Sequence, residues 1–347
     1  MFLDKKLRIK IKNKLYCINA FIFFILFKFD YITEEWNKYG LNPVLGDNKT
    51  KTLFDPFVFK EDDLYKMYVS WRIKGAIAIS TSKNGINWSE LKIILSSGNV
   101  TSWEKIVNRA SVVVYNKKYY LWYTGQTDTK SEIGVALSTD GYEFIKYKNN
   151  PILKPEYKFE KNSVMNPHVI YDKEEKIFKM WYSAGDKGEP DVICFAKSKD
   201  GINWVKYKNN PIFVPNKKKS SLDSYKIGGC DVHKISNNKY IMFYIGYTNI
   251  DTARIFFAES ENGINNWKRS NVPIIKPSKG KFDNDACYKP SALYDNKIKK
   301  WILWYNGRVR GDEYIGMASY NKNKLFRNKF KSHFLYDLLY KIYLKLV

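Results

Sequence analysis

LWYTGQ at Leu121–Gln126, followed by GVALSTDGYEF at Gly134–Phe144, is one copy of a phrase that the chain repeats five times. Its first half returns as MYVSWR (Met67–Arg72), MWYSAG (Met180–Gly185), MFYIGY (Met242–Tyr247) and LWYNGR (Leu303–Arg308). Its second half returns as IAISTSKNGINW (Ile77–Trp88), ICFAKSKDGINW (Ile193–Trp204) and IFFAESENGINNW (Ile255–Trp267). A fifth copy, IGMASYNKN (Ile315–Asn323), starts the same way and breaks off. A shorter strand-like phrase precedes each copy, beginning near Asp55, Arg109, Asn166, Asp231 and Lys289. A period of roughly 55 residues lies in the range of solenoids and propellers.

The runs are short, rich in Val, Ile, Tyr, Phe and Trp, and punctuated by Asn-Gly or Asp-Gly, the signals of strands and tight turns. Each copy supplies about four strands, as a propeller blade does. The fourth strand is expected at the Pro-bounded segments PILKP (Pro151–Pro155), PIFVP (Pro211–Pro215) and PIIKP (Pro273–Pro277). An outer edge strand tolerates the missing proline donor. The last copy lacks this strand, and the N-terminal region carries a spare one. WNKYGLNPVL (Trp36–Leu45) aligns with FIKYKNNPIL (Phe144–Leu153) and WVKYKNNPIF (Trp204–Phe213). The expected fold is an all-β, five-bladed β-propeller over residues 34–320, its ring closed by the N-terminal strand completing blade five.

The 347 residues are enough for one large core, and 17% aromatic content is high. Cys17, Cys194, Cys230 and Cys287 have no paired spacing and read as free thiols, three of them within apolar strand phrases. That favours a reducing, cytoplasmic compartment. The net charge of +24 comes from lysines scattered through turns and tails, and no nucleic-acid-binding motif accompanies it. Anionic glycans or an anionic membrane surface are the expected partners.

Residues 1–33 join a basic stretch to the apolar Leu15–Phe27, which is short for a membrane span. Residues 321–347 place Phe334, Leu338, Leu339, Ile342 and Leu346 at helical spacing among lysines. The two termini could therefore hold the protein peripherally at the inner membrane surface, or pack on each other or on the propeller rim.

The innermost strands of a propeller converge on a central funnel, so their starts are where function is expected. They read Asp55-Pro56, Asn108-Arg109, Asn166-Pro167-His168, Cys230-Asp231-Val232-His233 and Tyr288-Lys289-Pro290. Charged groups gathered at an axis are costly unless paired or open to a solvated pocket, and such clusters favour acid–base chemistry. Trp71, Trp122, Trp181, Trp304 and Tyr305 lie in the second strands, where they either pack blade against blade or stack on sugar rings. Arg72, Gln126, Asn306 and Arg308 at the strand ends suit hydroxyls or an anionic group. His168 and His233 lack a defined carboxylate set, so no metal is expected.

Five blades, Asp55-Pro56 opening the first, and the repeated WY-(S/T/N)-G…(S/T)-x-(D/N)-G-x-x-W pattern resemble the five-bladed propeller glycosidases. That group includes arabinanases and xylosidases, invertases and levansucrases, and mannoside phosphorylases, and the likeness spans nearly the whole propeller. The resemblance implies a glycosidase that needs no cofactor, acting on a bacterial-type oligo- or polysaccharide, with Asp55 as general base or nucleophile. It also implies a funnel-facing general acid. The positions where the family carries an Asp and a Glu on blades two and three hold Arg109 and Asn166/His168 here. Asp231 is then the first candidate acid, followed by Asp285, with Asp186, Glu189 and Glu313 as further substitutes. Arg109, His168, His233, Lys289 and Arg308 could instead hold phosphate for phosphorolysis or transfer, or an acidic sugar. A non-catalytic carbohydrate-binding propeller in polysaccharide assembly is the alternative outside enzymology.

Overall fold

The computed structural model describes residues 36–98 and 102–321, and Glu35–Asn321 forms one compact unit. The expectations for residues 1–33 and for the C-terminal helical pattern lie outside the described residues. Strand β1 (Asn37–Lys38) comes first in the chain. Repeat one is β2 (Leu53–Glu61), β3 (Leu64–Trp71), β4 (Ala76–Ser82) and β5 (Lys92–Leu95). Repeat two is β6 (Ile106–Tyr115), β7 (Lys118–Gln126), β8 (Ser131–Ser138) and β9 (Ile145–Lys146). Repeat three is β10 (Ser163–Asp172), β11 (Ile177–Gly185), β12 (Val192–Ser198) and β13 (Val205–Lys206). Repeat four is β14 (Lys226–Ser236), β15 (Lys239–Asn249), β16 (Thr252–Ser260) and β17 (Lys268–Arg269). Repeat five is β18 (Ala286–Asp295), β19 (Lys300–Val309) and β20 (Asp312–Asn321).

The strands of each repeat pair in order, antiparallel, and β1 pairs with β20 as the fourth strand of the last sheet. Repeats two and three share one sheet through a single parallel bridge, Ser131 to Ser163. The first strands pack in cyclic order: β2 on β6, β6 on β10, β10 on β14, β14 on β18, and β18 on β2.

The fourth strands end before the proline-bounded segments expected to form them. Leu153, Phe213 and Ile275 each make only an isolated bridge, to Ile133, Ile193 and Ile255. Asparagine explains why the chain turns there. Asn150 accepts from the Val135 N–H and donates to the Val135 carbonyl, and Asn210 does the same at Phe195. Asn42 repeats the arrangement at Met317, which is why the N-terminal segment fits the fifth sheet.

The Asn-Gly and Asp-Gly signals form wider loops than two-residue hairpin turns. Asp200 Oδ1 accepts from the N–H groups of Ile202 and Asn203, at 2.9 and 2.8 Å. Gly201 takes φ +76°, the left-handed region that glycine enters without cost. Its carbonyl accepts the indole N–H of Trp122 from the preceding repeat at 2.8 Å. The same bond joins Tyr68 to Gly141, Trp181 to Gly263 and Trp304 to Gly85. Repeat four has Phe243 at this position, and Trp36 packs edge-on against it at 5.6 Å.

The tyrosine after Trp122, Trp181, Phe243 and Trp304 has a different job. Tyr182 donates to Glu160, a fully buried acid that also pairs with Lys206 of the fourth strand at 2.8 Å. Glu104 with Tyr123 and Lys146, and Asp283 with Tyr305 and Lys38, repeat the design. Asp223 does so with Tyr244 and Arg269. Trp181→Phe is expected to cost about 1–3 kcal/mol, because the Gly263 carbonyl stays buried without its donor. Urea denaturation measures it, and an unchanged midpoint would show that the aromatic contact alone joins the repeats.

Candidate functional site

Each first strand carries a bulge where it nears the axis. The register slips between Phe54 and Phe57, Asn108 and Ser111, Met165 and His168, and Tyr288 and Ser291. Asp55, Arg109, Asn166 and Lys289 occupy these bulges with φ of 52°, 60°, 53° and 21°. A non-glycine residue in this region is strained and must be held there. The preceding repeat holds three of them: the Arg109 N–H donates to Ser70 Oγ, that of Asn166 to Thr124 Oγ1, and that of Asp55 to Asn306 Oδ1.

In repeat four the slip falls between Ile227 and Cys230, at Gly228-Gly229. Asp231 is therefore not the counterpart of Asp55. It pairs with Phe243, as His168 pairs with Trp181 and Ser291 with Trp304, so it sits past the bulge, one layer further along the strand. Its carboxylate is buried, accepts from the Ala292 N–H, and lies 3.2 Å from His168 Nδ1 and 3.1 Å from His233 Nε2. Burial pushes the Asp231 carboxyl up, but the two histidines and the N–H outweigh it and hold it down at about 2. His168 Nε2 also faces the Val232 carbonyl, while its Nδ1, although close to Asp231, makes no hydrogen bond among the described residues.

Above this layer a pocket open to solvent, with a cavity volume of ≈ 60 Å³, brings together three carboxylates, Asp55, Glu189 and Glu313, and three arginines, Arg72, Arg109 and Arg308. Asn166, Asn306, Tyr247 and Tyr288 complete its polar lining. A wider cleft runs along the outer ends of β15 and β16, away from the converging first strands.

Asp55 Oδ2 accepts from Arg109 Nε at 3.0 Å. Glu313 lies on β20 opposite Arg308; its Oε1 pairs with Arg72 at 3.0 Å and its Oε2 accepts from Asn306 Nδ2 at 2.7 Å. One asparagine thus touches both the Asp55 backbone and the Glu313 carboxyl. Burial pushes Glu313 up to about 7; Asp55 pushes the same way, and Arg72 pulls back. Glu189, in the loop after β11, is raised by burial and by Asp55, although Tyr247 donates to its carboxylate. Among the described residues, Asn166 Oδ1 and the Tyr288 hydroxyl are buried without a hydrogen-bond partner, and both side chains line this pocket. A carboxyl protonated near neutral pH beside a fixed carboxylate is an arrangement for acid–base work.

The structure thus gathers Asp55, Arg72, Arg109, Asn166, Asn306 and Arg308 of the expected residues, together with the substitute acids Glu189 and Glu313, and places the others elsewhere. Asp285 accepts from Asn284 Nδ2 and the Arg310 N–H, outside the pocket. Lys289 turns inward to the Cys230 carbonyl, and His168 and His233 point to Asp231. Trp122 is buried between repeats, Trp71 donates to the Thr50 carbonyl, and Tyr305 is held by Asp283. Cys194, Cys230 and Cys287 are free and buried.

Residues 105–225 match the family model of the glycosyl hydrolases family 32 N-terminal domain. The sequence is 25% identical over 228 residues to the uncharacterized protein Rv1502 of Mycobacterium tuberculosis, spanning 61% of this chain and 70% of that protein. Among solved structures, a thermostable family-43 glycoside hydrolase is similar with TM-score 0.62 and 20% identity, over 80% of this chain and 91% of that one. A structure from work on the GH130 mannoside phosphorylases has TM-score 0.66 and 17% identity, over 85% and 96% of the two chains. That work describes glycoside hydrolases that target beta-1,2 mannosidic linkages in Candida mannan. The fold is that of the propeller glycosidases, as the resemblance in the sequence implied.

Proposed function

We propose that the protein is a glycosidase acting on an oligo- or polysaccharide in this pocket. In this reading the five repeats are the blades of one closed propeller, with β1 completing the fifth and the pocket as its funnel. The observation that carries the function is Glu313, a carboxyl raised to about 7 that shares its pocket with Asp55. Glu313 gives its proton to the glycosidic oxygen as the C–O bond breaks. Asp55, whose Oδ2 accepts from Arg109, acts as general base or nucleophile, so that a water oxygen or the Asp55 carboxylate bonds to the anomeric carbon as the leaving oxygen departs.

Phosphorolysis is the second reading, favoured by three arginines in one pocket. Two of them already serve carboxylates, Arg109 with Asp55 and Arg72 with Glu313, which supports water as the acceptor first. The deciding experiment is sugar release from a panel of aryl glycosides and oligosaccharides, with and without phosphate, by the wild type and Asp55→Asn. Release without phosphate, lost in Asp55→Asn, is the expected result. Release only with phosphate would support the second reading. Glycan binding without release would leave a carbohydrate-binding protein.

A further inference from the structure

Arg308 differs from the other two arginines of the pocket. Arg72 and Arg109 are each ion-paired, whereas Arg308 has no carboxylate within ion-pair distance among the described residues. Its Nη2 donates to the Asp251 carbonyl at 2.7 Å, and its guanidinium lies 5.4 Å from the centre of the Tyr288 ring. Tyr288 is only 6% exposed, yet its hydroxyl meets no acceptor among those residues. A cation and a buried unpaired donor therefore sit side by side on the pocket wall.

The surrounding acids do not fill this place. Asp285 is occupied by Asn284 and the Arg310 N–H, and Glu189 is engaged by Tyr247. Glu313, although paired across the sheet with Arg308, directs its two oxygens to Arg72 and Asn306. A neutral sugar hydroxyl would satisfy Tyr288 but leave the guanidinium with only the more distant charges of Glu189 and Asp285 and no direct ion pair. A carboxylate or phosphate oxygen satisfies both, because guanidinium presents parallel N–H donors to such groups.

We propose that Arg308 and Tyr288 form a subsite for an anionic group carried by the saccharide, so that the substrate is an acidic glycan. This rests on the glycosidase reading and names its substrate class. The bound group is a ring carboxylate or a sugar phosphate, and the two are separated by experiment.

Calorimetric titration of the whole protein would compare oligogalacturonates and glucuronate disaccharides with their neutral counterparts, and glucose 6-phosphate with glucose. Acidic ligands of one kind are expected to bind about 10–100-fold more tightly than neutral ones. Arg308→Gln is expected to bring the ratio of acidic to neutral affinity close to one. Tyr288→Phe should remove part of the preference, and Arg308→Lys should restore part, which guards against a folding defect in a single variant. Equal affinity for acidic and neutral sugars, untouched by Arg308→Gln, overturns the subsite but not the glycosidase reading. Binding of inorganic phosphate through Arg308 without preference among sugars also overturns it, in favour of phosphorolysis. Binding of no saccharide at all overturns both.

Discussion

Glu313→Gln is expected to lower kcat on unactivated glycosides by about 10²–10⁴-fold, the usual contribution of a positioned general acid. The loss should be much smaller on aryl glycosides with acidic phenols, whose leaving oxygen needs little help from a proton. Glutamine keeps the shape but offers one acceptor oxygen to two donors, Arg72 and Asn306 Nδ2, so it is the dependence on leaving group that isolates the proton. The pH profile gives a second readout. Glu313 works in its protonated form and is raised to about 7, so kcat/KM should fall as pH rises through that value. In Glu313→Gln this alkaline limb should disappear. An equal loss on all leaving groups, with the limb retained, would move the acid role to Glu189.

Asp231→Ala is expected to cost about 2–3 kcal/mol of stability, the linkage contribution of a buried carboxyl held near 2 in the folded state. The substitution strips the Ala292 N–H and His233 of their acceptor and removes the carboxylate beside His168 Nδ1. The folded carboxyl is held near 2, below its unfolded value of about 3.9. Its stabilisation is thus fully present above the unfolded value and is lost as pH falls through the folded one. Urea unfolding at neutral pH should show the full difference, and the two proteins should converge towards pH 2. Turnover per folded molecule should change little, because Asp231 lies outside the pocket. Lost turnover with intact stability would restore Asp231 as a catalytic acid.

The contrast between these residues shows where the sequence could be read and where it could not. The repeat was legible because strand, turn and Asn-Pro signals recur in the same order. The N-terminal strand was legible because Asn42, Asn150 and Asn210 keep one arrangement. Asp231 was misplaced because repeat four marks its bulge with Gly228-Gly229, which carry no side chain to announce it. A short polar cluster, Cys230 to His233, looks like a strand start but belongs one layer further along the strand. Trp122 and its equivalents alternate as funnel aromatics would, and only the position of the next repeat's glycine reveals their direction. Glu189 and Glu313 stood among the substitutes, not at the front. One lies in a loop, and the other just past the turn from β19 to β20. What lifts Glu313 is burial, a property of the assembled ring that no spacing encodes.

The left-handed bulges have a consequence for how such a protein can change. Asp55, Arg109, Asn166 and Lys289 occupy one backbone mould, each tied to a neighbouring repeat through its N–H or its side chain, and each carrying strain of about 1 kcal/mol. Glycine at any of them would relieve that strain and remove the side chain the ring presents there. Selection for robustness alone would therefore empty the sockets one by one; repeat four, with Gly228-Gly229 at its slip, has no left-handed residue there. The chemistry mounted on this ring is exchangeable cargo: a lineage could trade one polar residue for another at each socket and acquire a new substrate while the scaffold stayed unaltered.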